Sequence, residues 1–259
     1  MSLNPRVTDW RGRRVWVVGA STGIGAALVR ALLERGACVA VTARNAARLA
    51  ELGGLAPERV RVLAFDVNDA DAWEAACATL SHEWKGIDHF IYCAAAYRPV
   101  RAWELSPALV REMVDTNLAA AMIGVSRVLP ALLARGDGAI SLVGSVAGYT
   151  GLPKSLVYGP TKAGLINFAE ALYLDVHPRG LAVHVINPGF VDTPLTQQND
   201  FTMPALLTPD QAAAEMVRGF EAGAFEIHFP KRFTCWLRLL RRLPYRLRFA
   251  LLAKVAEQA

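Results

Sequence analysis

What most constrains this chain is a regular alternation. Six short runs of apolar and β-branched residues lie near Val15–Gly19, Ala37–Thr42, Val60–Phe65, Ile87–Cys93, Ala139–Gly144 and Ala182–Asn187. Between them the spacing predicts helices over Gly23–Arg35, from Ala46 to about Leu52, and from a cap at Asn68 or Asp69 to about His82. A long helical stretch follows from about Glu104 to Leu133, with a break near Asn117, and then a helix over Val157–Val176. A helix at Pro209–Phe220 and a short strand at Phe225–Phe229 come last. Strands alternating with helices of this length build βαβ units and a parallel sheet. Runs that are apolar almost throughout are buried on both faces. The expected fold is α/β, a doubly wound, Rossmann-like parallel sheet. One domain is expected over residues 12–230, followed by a basic amphipathic extension over 231–259. Ligands of such sheets bind at the carboxyl ends of the strands.

Composition narrows the function classes. With 53% hydrophobic and 20% charged residues among 259, the chain can bury a sizeable core. That excludes a disordered chain, a collagen-like repeat and a disulfide-stapled miniprotein. The net charge is +5, but residues 231–259 hold eight Lys/Arg against one Glu, a local +7, so residues 1–230 carry −2. A nucleic-acid binder needs a basic face over its fold, so none is expected here. Cys38, Cys77, Cys93 and Cys235 have no C-x-x-C spacing and no His partners in register, which predicts buried or half-buried thiols in a reducing compartment and no metal site. The first residues lack the apolar run of a secretory signal, and continuous apolar runs fall short of the ~20 residues of a spanning helix. A cytoplasmic protein is expected, with peripheral membrane contact through the tail as an open question.

After the first strand comes Gly19-Ala-Ser-Thr-Gly23-Ile-Gly25, opening directly into a helix. Gly19 permits a tight turn, Gly23 lets a phosphate approach the backbone, and Gly25 allows close helix-to-strand packing. The helix N-terminus offers unpaired N–H groups to an anion. At the end of the second strand stands Arg44, where an NAD-selective site usually places a carboxylate, and Arg48 follows one helical turn later. A guanidinium fork suits a 2′-phosphate and a carboxylate repels one. The pattern points to NADP(H), with NAD the alternative; ordinary surface arginines beside an Asn45 helix cap are the plainer reading.

Ser145 follows the fifth strand, and thirteen residues later comes Tyr158-Gly-Pro-Thr-Lys162. Residues four apart share a helix face, so Lys162 lies one turn from Tyr158. An ammonium near a phenol favours phenolate. A phenol tuned toward neutrality can move a proton to or from a carbonyl or alcohol oxygen, which Ser145 can hold in place. Each residue alone is commonplace; the order after a glycine turn on strand one is what carries weight.

With these motifs the chain resembles the short-chain dehydrogenase/reductase family over roughly residues 12–230. The resemblance implies cofactor contacts at Gly19, Ser21, Thr22, Gly23, Ile24 and Gly25, with Arg44 on the ribose side. Asp66 and Val67 match the acidic position after strand three that contacts adenine, and Ala94 falls in the loop after strand four. In Asn187-Pro188-Gly189-Phe-Val191-Asp-Thr193, Pro188 and Gly189 belong to the nicotinamide segment, and Val191 and Thr193 would hold the carboxamide. Asn117 matches the residue that, with Lys162, orders a proton-relay water, completing a catalytic set of Asn117, Ser145, Tyr158 and Lys162. Tyr158 and Lys162 would also touch the cofactor. A homodimer or homotetramer is implied, with helices 104–133 and 157–176 supplying its face. One departure stands out. Tyr92-Cys93-Ala94-Ala95 replaces the family's N-N-A-G, and Ala95 in place of glycine narrows the backbone angles there.

The tail is not explained by that resemblance. Phe233, Trp236, Leu237, Leu240 and Leu243 follow helical spacing, Arg238, Arg241 and Arg242 lie off the stripe, and Pro244 ends or kinks the helix before a second segment opens at Tyr245. Three fates are open: packing over a pocket or subunit interface, contact with anionic lipid, or an acidic partner. The segment Pro194–Thr208, with Leu195, Phe201, Met203, Leu206, Leu207 and a single charge at Asp200, reads as a substrate loop for an apolar ketone, aldehyde or lipid-like alcohol. The expected function is hydride transfer between NADP(H) and a small, apolar carbonyl or alcohol substrate. The alternatives are a non-catalytic dinucleotide sensor or scaffold, and a membrane-surface lipid-binding protein.

Overall fold

The computed structural model describes residues 2–199, 201 and 203–257, with side chains described as far as residue 253. Asp200, part of the expected substrate loop, lies outside the described residues. Seven parallel strands form one sheet: β1 (Arg14–Val18), β2 (Cys38–Ala43), β3 (Val60–Ala64), β4 (His89–Tyr92), β5 (Gly138–Val143), β6 (Leu181–Pro188) and β7 (Glu226–Phe229), in spatial order β3-β2-β1-β4-β5-β6-β7. The order reverses between β1 and β4, which opens a crevice at the carboxyl ends of those strands.

Helices cover both faces. On one side lie α1 (Gly23–Glu34), α2 (Ala46–Leu55) and α7 (Pro209–Glu221), packed on Val15, Val17, Val39 and Val41. On the other lie α3 (Ala70–Trp84), α5 (Ala120–Arg135) and α6 (Tyr158–Val176), packed on Trp16, Val18 and Ala40. Successive strand residues point to opposite faces, which explains why Val15 and Trp16 serve different cores. Asp69, one of the two expected caps, begins α3 by accepting from the N–H groups of Asp71 and Ala72. Gly53 and Gly54 do not end α2, which runs on to Leu55.

The break expected near Asn117 is instead a widened turn. The short helix α4 (Pro107–Val114) passes through a π turn over Asp115–Ala119 directly into α5, with Ala120 N–H bonded to the carbonyl of Asp115. The continuous helix Pro107–Arg135 is long and apolar enough, by length and mean composition, to cross a membrane, although its uninterrupted apolar runs are short. In the fold it is a core helix: Ala120, Ala121, Val125, Val128 and Leu132 are buried in the cluster beneath the sheet.

After β7 the tail forms two helices, α8 (Lys231–Arg242) and α9 (Tyr245–Glu257), hinged at Pro244. Leu237, Leu240 and Leu252 are buried in the same core as α6. The four cysteines are unpaired; Cys38, Cys77 and Cys93 are partly buried, whereas Cys235 is exposed, on the outer side of α8. Its exposure corrects the expectation of four covered thiols.

Candidate active site

The glycine turn is built by close backbone approach. Gly19 adopts φ +87° and Gly23 φ +54°, angles that L side chains rarely take. The N–H groups of Gly19 and Ala20 both donate to the carbonyl of Thr42, at 2.7 and 3.1 Å, tying the turn to β2. A Cβ on Gly19 would stand 2.4 Å from the Ala94 nitrogen, and one on Gly25 only 2.1 Å from the Gly19 carbonyl oxygen. The N-terminus of α1 therefore lines the crevice, with Thr193 Cγ2 2.8 Å from the Cβ position of Gly23.

That crevice is a cleft of about 340 Å³. Gly19, Ser21, Thr22, Gly23, Ile24 and Gly25 form one wall, with Arg44 at the end of β2 and Asp66 and Val67 after β3. Ala94, after β4, and Pro188, Gly189, Val191 and Thr193, after β6, complete it. The residues expected to contact a dinucleotide thus meet in one place, and the bare glycine cradle below a helix N-terminus fits a pyrophosphate. Arg44 makes no ion pair among the described residues. Arg48 does not line the cleft, and its N–H bonds to the side chain of Asn45, which caps α2. The Ala95 departure is accommodated, since no positive φ occurs at that position.

Ser145, Tyr158 and Lys162 also line the cleft. Ser145 caps the short turn Val146–Gly148, its hydroxyl accepting from Ala147 N–H at 3.1 Å, and it stands beside the Tyr158 phenol, whose ionised form it favours. Tyr158 is the first residue of α6. Lys162 Nζ lies 5.5 Å from the centre of its ring and donates to the Val143 carbonyl at 2.8 Å. Burial dominates the electrostatics. It pushes the phenol above its usual range, with the nearby Ser145 hydroxyl opposing, and brings the Lys162 ammonium from 10.5 down to about 8. The expected pull of Lys162 on the phenol is outweighed, because both groups are enclosed and each resists charge.

Asn117 follows Thr116, which lines the cleft. It is fully buried in the π turn and does not line the cleft. Its Oδ1 accepts from Ala96 N–H at 2.7 Å, and its Nδ2 donates to the Ala96 carbonyl at 2.9 Å and to Thr161 Oγ1 at 3.2 Å. Thr161 in turn donates to the Tyr158 carbonyl at 2.8 Å. The side chain thus clamps the loop after β4 to the helix that carries Tyr158 and Lys162, and has no amide proton left for water.

A second cavity of about 590 Å³ joins the first. Ser145, Tyr158, Gly189, Leu195 and Thr196 line both. The second is walled by Val146, Leu152, Phe190, Phe201, Phe233, Trp236, Leu237 and Leu252. Leu195 and Phe201 of the expected substrate loop face it, whereas the Leu207 backbone pairs with Val191 and Asp192 and its side chain joins the core.

Two contributors escape a sequence reading. Tyr97 meets the Tyr158 ring edge-on at 4.9 Å and donates to Asn199 Oδ1 at 2.6 Å, closing one end of the second cavity. Its only signal is its place just past the unusual strand-four loop. Glu226 accepts from Tyr149 Oη at 2.5 Å and Asn187 Nδ2 at 3.0 Å, and pairs with Arg238 of α8 at 3.4 Å. With Phe233 packed against Gly189, these contacts moor α8 to the end of β6.

The short chain dehydrogenase family model matches residues 13–203. An uncharacterized oxidoreductase of Myxococcus xanthus is 34% identical over 238 residues, covering 90% of this chain and 93% of its own. A 3-oxoacyl-(acyl-carrier-protein) reductase of Vibrio harveyi is 31% identical over 205 residues, 79% of this chain and 81% of its own. Among solved structures, a short-chain dehydrogenase from Streptomyces avermitilis superposes with TM-score 0.83 at 21% identity, covering 95% of this chain and 98% of that one.

Proposed function

Because the chain belongs to the short chain dehydrogenase family and is an NAD(P)-dependent oxidoreductase, we propose that it moves hydride between NADP(H) and an apolar ketone, aldehyde or alcohol. The observation that carries this reading is the junction of the two cavities, where Ser145 and Tyr158 face the dinucleotide cleft on one side and the apolar cavity on the other. A nicotinamide bound in the cleft supplies or takes up the hydride. In the reducing direction, Ser145 and Tyr158 hold the carbonyl oxygen between their hydroxyls, and Tyr158 gives its proton to the oxygen as negative charge develops there. Lys162, beside the phenol, offsets the phenolate that remains. Asn117 acts at one remove, holding α6 in register with the loop after β4.

NADP(H) over NAD(H) rests on Arg44, a cleft-lining guanidinium at the ribose end of β2 with no carboxylate paired to it among the described residues. An apolar substrate rests on the walls of the second cavity. The 3-oxoacyl group in the name of the Vibrio harveyi relative is a ketone on an acyl chain, a shape such a cavity admits. The Ser145–Tyr158–Lys162 set, half-buried at the first two positions and buried at the third, speaks against a sensor that never turns over. The reading places the enzyme in the cytoplasm as a homodimer or homotetramer; exposed Met122 and Leu174 on α5 and α6 offer a subunit face. The deciding experiment is a panel of medium-chain ketones, 3-oxoacyl thioesters and alcohols with NADPH and NADP. Tyr158→Phe is expected to lose at least ~100-fold in kcat with cofactor binding retained. Full turnover in that variant would overturn the mechanism.

A further inference from the structure

We propose that α8 and α9 form a docking element for anionic bilayers, which turns the mouth of the apolar cavity toward the membrane. The two helices hold six of the fifteen large apolar side chains that the described residues leave exposed: Trp236, Leu239, Tyr245, Leu247, Phe249 and Leu251, between 43% and 67% accessible. The inner stripe of α8, with Leu237 and Leu240, is buried, and among the described side chains α9 adds only Leu252 to the core. Packing over the pocket accounts for that inner stripe and leaves the outer surfaces without a partner. So dense a group of exposed apolar side chains on a soluble fold marks an interaction surface.

Charge identifies the occupant. Residues 231–259 carry +7 against −2 for the rest of the chain. Arg238 is paired with Glu226, but Arg232, Arg241, Arg242 and Arg246 have no acidic partner among the described residues. A two-fold contact of this surface with itself would set +7 against +7, which association disfavours. The body, at −2 net, carries far less charge than the tail for it to meet in a second copy. A bilayer rich in anionic headgroups supplies both requirements, negative charge for the guanidinium groups and an acyl boundary for the aromatic and leucine side chains. Arg248 is held within the tail, its guanidinium 4.3 Å from the centre of Tyr245 and 5.8 Å from that of Phe249 and donating to the Arg241 carbonyl at 3.2 Å, which fixes the two rings at the surface. Aromatic rings and long basic side chains place apolar stems below the headgroups and polar ends among them.

Trp236 connects the surface to the site. It lines the apolar cavity and is also nearly half exposed, so the cavity wall and the docking surface are continuous through one side chain. Leu252 closes the same cavity from α9. A substrate dissolved in the bilayer reaches Tyr158 without crossing water. Docking stands independently of the reaction, while the delivery route rests on the apolar-substrate reading above.

Flotation of the full-length protein with vesicles tests the docking. One set contains phosphatidylcholine with about 30% phosphatidylglycerol and the other phosphatidylcholine alone. Recovery with the anionic vesicles is expected to exceed the zwitterionic control at least ~10-fold and to fall as salt rises. Leu239→Glu/Leu247→Glu/Phe249→Glu and Arg232→Glu/Arg241→Glu/Arg242→Glu/Arg246→Glu should each return it to background, with the melting temperature and NADPH titration of the wild type showing that the fold is intact. Tyr158→Phe should float as the wild type does, so a failure of the catalytic reading leaves this result standing. Background recovery of the wild type, equal recovery with both vesicle types, or wild-type recovery of either multiple variant would overturn the proposal. So would dissociation of an oligomer by the apolar triple variant without any flotation, which would make the surface a subunit interface.

Discussion

Gly25→Ala probes the glycine cradle most directly. The added methyl carbon would stand 2.1 Å from the Gly19 carbonyl oxygen, 3.0 Å from its carbonyl carbon and 3.2 Å from Ala20 Cα. Carbon-to-oxygen approach in proteins bottoms out near ~3.3 Å even in favourable contacts, so α1 and the turn must part by about 1 Å. All three neighbours are backbone atoms, so no rotamer change relieves the clash. Overpacking of this kind costs about 3 kcal/mol, and a chain of this size loses roughly 2–4 °C for each kcal/mol. Gly25→Ala should therefore melt about 6–12 °C below wild type. Because the N-terminus of α1 moves away from the cleft, NADPH should bind at least ~10-fold more weakly. Gly54→Ala is the matched control. It lies inside α2 with nothing within 4 Å of its Cβ position, and alanine is favoured over glycine in a helix by about 1 kcal/mol, so this variant should melt higher than wild type. Differential scanning fluorimetry and fluorescence titration with NADPH measure both quantities. If Gly25→Ala kept its melting temperature and bound NADPH within about twofold of wild type, the rigid close approach would be refuted.

Lys162 gives a pH signature. Its ammonium releases a proton near 8 in the folded chain and near 10.5 when unfolded, so between those values unfolding takes up a proton and wild-type stability rises with pH. The full difference is about 3 kcal/mol. Lys162→Met should be more stable than wild type at pH 7, with the gap in urea midpoint shrinking by pH 10; an unchanged gap would show that the ammonium pays no burial penalty. Arg44→Asp should lower the NADP/NAD ratio of kcat/KM at least ~100-fold, and an unchanged ratio would remove the 2′-phosphate reading. Glu226→Ala strands the Tyr149 hydroxyl, the Asn187 amide and Arg238 together. A loss of about 2–4 kcal/mol and faster proteolysis between β7 and α8 are expected; wild-type values for both would mean that α8 is held by its apolar stripe alone.

Much of this arrangement is visible in residue order. The six apolar runs and the glycine turn announce a wound sheet because each uses a local rule, alternation or backbone freedom, that tertiary structure has no reason to override. The Tyr158–Lys162 spacing is equally local, being one turn of one helix. What the spacing could not convey is the balance of energies around those groups. The direction in which the phenol shifts depends on how completely α6, Tyr97 and the end of β5 enclose it, a property of packing rather than of sequence separation. Asn117 was legible as a residue of interest and not in its contacts, since a π turn leaves no distinct period in eight or ten residues of mixed polarity. The tail shows the same limit. Its helical stripe predicted one apolar side facing inward, and Phe233, Leu237 and Leu240 do face inward, but the exposed rings of α9 follow no single stripe, so no moment along the chain could say which of them meets the body.

The π turn at Asp115–Ala119 has a consequence for how this helix tolerates insertion and deletion. One surplus residue in a helix turns everything on one side of it by about 100°. The faces of α4 and α5 are therefore out of phase with each other by design of the backbone, Met113 directed into a small cluster with Val100 and Val157 while Val125, Val128 and Leu132 address the sheet. Removing a single residue here would restore a uniform winding at the expense of that phase offset. Met113 would swing away from its cluster and Asn117 away from Ala96, so a length change invisible to any hydrophobicity count would act as a rotation of the whole segment preceding it.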